Sequence, residues 1–228
     1  MAPLGYTVDD VVYDPVTHTS ALRDGRPVPH VTAILEATGV STDFEALAEM
    51  GPRVAERIEA AGLRGTAVHA DCHAYDDDDL DLAQCHAVVR PYVEAWVTCR
   101  DSLGLVALAH ARERRVYHPG QNYTGILDGI FMRFKGYKQQ RILLDLKTGD
   151  PESAAAHLQT AAYEAAWNLA HPDQKVNERW AVWLRPGRPV QYTIINYTAA
   201  PDAWQDFARF QAVLCTYNEQ PSRRARRS

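Results

Sequence analysis

The chain has 228 residues, 46% of them apolar, which supports one full core with at most small additions. Lys and Arg number 24 against 29 Asp and Glu, a formal charge of −5, so no uniformly basic surface advertises a nucleic-acid binder, although local patches can depart from the average. No apolar run approaches the ~18 residues of a membrane span, and the opening MAPLGYTVDDVVYD has no basic segment followed by an apolar one, which predicts no signal peptide. Cysteines at 72, 85, 99 and 215 fit no compact zinc or iron–sulfur spacing and predict free thiols in a soluble, cytoplasmic protein.

In chain order, short β-like pieces at Val11–Tyr13 and Ala21–Leu22, with turns at Asp14-Pro15 and Asp24-Gly25, predict a small hairpin flap. Residues 31–39 read as a short helix stopped by Gly39. Ser41 or Thr42 is the candidate cap of a helix over about 43–60, and Gly62 and Gly65 are expected to interrupt before another helix begins near Thr66. The acidic run 76–81 reads as a solvated loop, followed by an amphipathic helix over about 82–102. Strands are predicted at 105–117, 123–134 and 141–147, a helix at 152–170, strands at 178–185 and 190–197, and a last helix at 201–218. Short links between the first three strands predict antiparallel neighbours. The whole order predicts an α/β fold, a mixed central β-sheet flanked by helices.

The segment RILLDLKTG places an acid and a lysine two apart at a strand end, so Asp145 and Lys147 share one face while Leu144 and Leu146 take the other. The preceding strand carries Asp128 between Gly125 and Gly129. Two carboxylates on adjacent strand ends, with nearby carbonyls, suit Mg²⁺ or Mn²⁺; a rim ion pair is the plainer reading of Asp145 and Lys147. Gln159 and Tyr163 share a face of the next helix, where Tyr163 can equally be core. Upstream, Thr66 can cap a helix or touch a phosphate, and His69 can ligate a metal. A zinc reading would use His69, Cys72 and His73, without an evident fourth ligand.

Taken together, Gly65-Thr66 with His69, Glu113, Gly125 with Asp128, Asp145 with Lys147, and Gln159 with Tyr163 resemble the ordered motifs of the RecB-like branch of the PD-(D/E)XK nuclease superfamily. The resemblance spans residues 65–163, and the phrase Pro29-His30-Val31-Thr32-Ala33-Ile34-Leu35 is similar to the N-terminal phrase of phage-encoded and mitochondrial nucleases of that branch. It implies a restriction-endonuclease-like core with N-terminal helical additions: one nuclease domain over 1–220, made of a hairpin and helices (1–62) and a core (63–220), and then a basic, disordered tail (221–228). It implies metal ligation by His69, Asp128, Asp145 and the backbone of Leu146, with Lys147 catalytic and Glu113, Gln159 and Tyr163 supporting. The ion would be Mg²⁺ or Mn²⁺. Only Cys215 lies late in the chain, so no iron–sulfur cluster is expected, and no helicase motor motif is present in it.

The expected activity is exonucleolytic hydrolysis of DNA from free ends in recombination or repair, within a host cell if phage-encoded. The alternatives are a structure-selective endonuclease and a non-catalytic DNA-end binding or adaptor protein. Expected partners are DNA, a recombinase or single-strand-binding protein, and further copies of the chain; no membrane is expected. Candidate DNA contacts are Arg53, Arg57, Arg64, Arg112, Arg114, Arg115, Lys135, Lys138 and the tail Arg223–Arg227. Trp180, Trp183 and Tyr192 are candidates for base stacking or, more simply, for packing.

Overall fold

The computed structural model describes residues 5–41, 51–149 and 155–220. The N-terminal hairpin of β1 (Val11–Asp14) and β2 (Thr19–Leu22) is present, followed by α1 (Val31–Ala37). The hairpin docks on the main sheet through Leu22 and Val28 against Tyr117, and the Asn122 amide donates to the Pro27 carbonyl.

The sequence predicts a break at Gly62 and Gly65; instead α2 runs unbroken from Pro52 to Asp76. Helix propensity is a weak prior that packing overrides, and Val68 and Cys72 anchor this helix in the core on both turns after Gly65. The proposed Thr42 cap and residues 43–50 lie outside the described residues, as does the tail 221–228. Helix α3 spans Arg90–Leu103, later than the predicted 82–102. Pro91 explains the start, because proline lacks the amide hydrogen that a helix interior needs and is tolerated in the first turn. Gly104, at φ 60°, closes α3 in the left-handed conformation.

The acidic run is not simply a solvated loop. Asp76 ends α2 with its side chain buried, taking Arg100 Nη1 at 2.9 Å and the Trp96 indole at 3.1 Å. Asp77 pairs with Arg112, and Asp81 accepts the Ala83 amide.

The remaining strands are β3 (Val106–His118), β4 (Tyr123–Lys135), β5 (Lys138–Lys147), β6 (Glu178–Leu184) and β7 (Tyr192–Asn196), interspersed with α4 (Ala156–Ala170) and ending on α5 (Asp206–Glu219). They form one sheet in the order β3-β4-β5-β6-β7, antiparallel throughout except between β5 and β6. A parallel pair needs a crossover, and α4 supplies it. On one face, α1, α4 and α5 pack Ile34, Tyr163, Trp167 and Phe210 against Leu143. On the other, α2 and α3 pack Val68, Val93 and Trp96 against Leu144 and Leu146. The expected mixed sheet between helices is therefore the architecture observed, and the described helices include none long and apolar enough to cross a membrane. Cys72, Cys85, Cys99 and Cys215 are all free thiols.

Candidate active site

The site forms where the sheet splits. Pairing between β4 and β5 runs from the hairpin Lys135–Lys138 as far as Gly129 opposite Leu144, and there it stops. Continued by one step, it would set Asp128 directly against Asp145. Beyond that point β4 stays paired with β3, as far as His118 opposite Tyr123, and β5 stays paired with β6, as far as Lys147 opposite Trp183. Two strands that part leave backbone groups to satisfy. The Asp128 carboxylate meets one of them, its Oδ2 accepting the Leu146 amide at 2.7 Å.

Alternation along β5 then places the groups as the sequence implies. Leu144 and Leu146 enter the α2/α3 core, while Asp145 and Lys147 lie on the face of Leu143, toward α4. Lys147 Nζ stands 2.9 Å from Asp145 Oδ2 and donates to Gln159 Oε1 at 3.2 Å. Gln159 Nε2 donates to Asp145 Oδ1 at 3.4 Å and to the Tyr163 hydroxyl at 3.3 Å. One turn of α4 thus ties the acid, the lysine and the tyrosine together. Across the fork, His69 of α2 brings Nδ1 to 3.5 Å from Asp128 Oδ1.

The electrostatics follow from burial beside opposite charges. Burial pushes Asp145 up to about 6, against the pull of Lys147. Burial works in the same direction on Asp128, but His69 and Lys147 outweigh it and hold Asp128 below the usual carboxylate range. For His69 and Lys147 burial opposes the charged form, yet the neighbouring carboxylates prevail and both are raised. The site is a buried alternation of two acids and two cations.

Among the described residues, no three His, Cys, Asp or Glu side chains stand close enough to share one ion. Asp128 and Asp145 instead each hold a protein cation. The donor chemistry still fits a hard divalent ion: an imidazole and two carboxylates border one cleft. Asp145, only 2% exposed, turns its Oδ2 to the Lys147 ammonium at 2.9 Å, a charge-assisted contact inside the buried site.

Other sequence candidates lie elsewhere. Glu113 sits on β3 with φ 42° and faces His73, Oε1 to Nδ1 3.1 Å, outside the cleft lining. Thr66 does not cap a helix; it is mid-helix and exposed, donating to the Gly62 carbonyl. Cys72 turns into the core, where burial pushes its thiol up, so the zinc set His69, Cys72 and His73 does not converge. Trp180 and Trp183 are buried in the sheet, and Tyr192, half-buried, packs against the same core with its hydroxyl 2.8 Å from Ser102 Oγ, so packing is the role observed for all three. Arg112 and Arg115 are engaged with Asp77 and with Ser20, while Lys135 and Lys138 flank the hairpin at the far end of β5.

Arg57 and Arg64 do border the cleft, which encloses about 880 Å³ among the described residues. His30 and Thr32 border it as well. The sequence signals them only through the Pro29–Leu35 phrase, which by itself assigns them no role. His30 Nε2 is 2.8 Å from Ser20 Oγ, so the hairpin helps to hold its ring. Comparison with protein-family models and with curated proteins finds no match to this chain.

Proposed function

We propose that the chain is a divalent-metal-dependent DNA nuclease with a restriction-endonuclease-like core, of the RecB-like branch of the PD-(D/E)XK superfamily, acting from DNA ends. The observation that carries this reading is the meeting of Asp128, Asp145, Lys147, Gln159 and His69 at one strand fork in one cleft. These groups come from four separate elements, and a rim ion pair between Asp145 and Lys147 would not require the other three.

His69, Asp128, Asp145 and the Leu146 backbone would hold Mg²⁺ or Mn²⁺, which when bound supplies Lewis-acid polarisation of a phosphoryl group and activated water. The chain's own residues do the rest. Gln159 fixes Lys147 beside Asp145, so that the ammonium points at the reacting phosphate and neutralises charge gathering on its oxygens. Tyr163 fixes Gln159 in turn. His69 stands 3.5 Å from Asp128 and, to hold the ion, would bind it as a neutral imidazole, and Arg57 and Arg64 bring cationic charge to the cleft wall for the flanking phosphates.

The test is a time course on end-labelled linear single- and double-stranded DNA beside a closed circle, with Mn²⁺, with Mg²⁺ and with chelator. The expected result is metal-dependent loss of linear DNA with the circle spared. Nicking of the circle would favour an endonuclease, and binding without turnover in both metals would favour an adaptor protein.

A further inference from the structure

The cleft selects for the form of its substrate as well as for its charge. Its α2 wall is apolar and thin, presenting Val54, Ile58, Ala61, Gly62 and Gly65, with Ile126 on the sheet side. Glycine weakens a helix interior, and close packing does not account for these two. A Cβ at Gly62 would meet no described atom within 4 Å, and one at Gly65 only Thr148 Oγ1, at an ordinary 3.5 Å. The missing side chains leave the cleft wall without bulk at these two positions. Arg57 and Arg64 stand two helical turns apart along the same wall, ~10 Å by helix rise.

A duplex offers a wall mainly sugar, phosphate and the edges of its base pairs. An apolar strip gains little from those. An unpaired strand exposes base faces, which gain from apolar and aromatic surface while the phosphates still call for cations.

We propose that the cleft admits a single DNA strand and excludes the duplex, so that duplex DNA is attacked only where an end is unpaired. This rests on the nuclease reading for its substrate class, but it concerns which form binds, and binding can be read without cleavage. The experiment is fluorescence anisotropy of the full chain with Ca²⁺ in place of Mg²⁺. The probes are a labelled mixed-sequence oligodeoxynucleotide of about 12 nucleotides and the same sequence as a blunt duplex. The single strand is expected to bind at least about tenfold tighter.

Gly62→Trp puts an indole into the cleft and is expected to weaken single-strand binding by about tenfold or more. Leu63→Trp, at an exposed neighbouring position outside the cleft lining, leaves it unchanged. A blunt duplex bound as tightly as the single strand overturns the inference, and so does a folded Gly62→Trp that binds like the wild type. If thermal melting shows Gly62→Trp unfolded, the wild-type ratio of the two probes decides alone. Selective single-strand binding without cleavage in Mn²⁺ would sink the nuclease reading and leave this one standing. Cleavage with no strand preference in binding would do the reverse.

Discussion

Tyr163 keeps its place because Gly125 has no side chain. A Cβ there would lie 2.3 Å from Tyr163 Cε1 and 3.1 Å from its hydroxyl, and the ring, 3% exposed, has nowhere to retreat. Overpacking of this kind costs ~1–3 kcal/mol. Gly125→Ala is therefore expected to lower the urea midpoint and, through the Tyr163–Gln159–Lys147 chain of contacts, to slow cleavage. Unchanged stability in Gly125→Ala would show that the ring is not packed as described. Asp145 illustrates the opposite economy at the same scale: a carboxylate that burial disfavours is retained, with the Lys147 ammonium beside it. Natural proteins keep such groups mostly where function demands them.

At the scale of elements, α2 is the member that carries the cleft wall and His69 together. A helix continuous through Gly65 should gain from alanine there by about 1 kcal/mol, because the new Cβ meets only Thr148 Oγ1 at contact distance. Gly65→Ala is thus expected to raise the unfolding free energy in urea; a loss would mean that the helix breaks at Gly65 after all. The same helix shows what the sequence made legible and what it did not. Period-two alternation in RILLDLKTG gave the facing of Asp145 and Lys147 correctly, since side-chain direction in a strand is a local property. Glycine content misled over α2, because burial of Val68 and Cys72, a tertiary effect, overrides a local preference. Pro91 did carry the true start of α3, through a local rule that the apolar periodicity of 82–102 obscured. The fork between β4 and β5 had no local signature. Which strands stay paired past Gly129 is decided by β3 and β6, far away in sequence, and so the facing of Glu113 toward His73 could not be read either.

At the scale of the whole molecule, histidines tie the layers together, and that makes acid a probe of the fold. His118, at the end of β3, stacks on Phe207 of α5, ring centroids 5.8 Å apart, and packs on Tyr123 of β4. Burial lowers its basicity. Above the ordinary histidine range both folded and unfolded chains leave it neutral, and its packing contribution is complete. As the pH falls through the unfolded value, ~6.5, the unfolded chain takes a proton that the folded chain refuses, so this contribution is lost on the acid side. His118→Phe removes the group while keeping a ring. The wild type is therefore expected to lose more thermal stability than His118→Phe between about pH 7.5 and pH 5, as read by melting temperatures. Equal losses would mean that His118 is not buried neutral in the assembled layers.

The proposed chemistry depends on the ion pair at the end of β5. The most direct measurement is cleavage of end-labelled linear DNA in Mn²⁺ by purified wild type, Asp145→Ala and Lys147→Ala, each checked for a cooperative melt. The wild type should degrade the label, and both variants should fold yet lose at least about a hundredfold in rate. Folded variants that cleave like the wild type would contradict the assignment of the site.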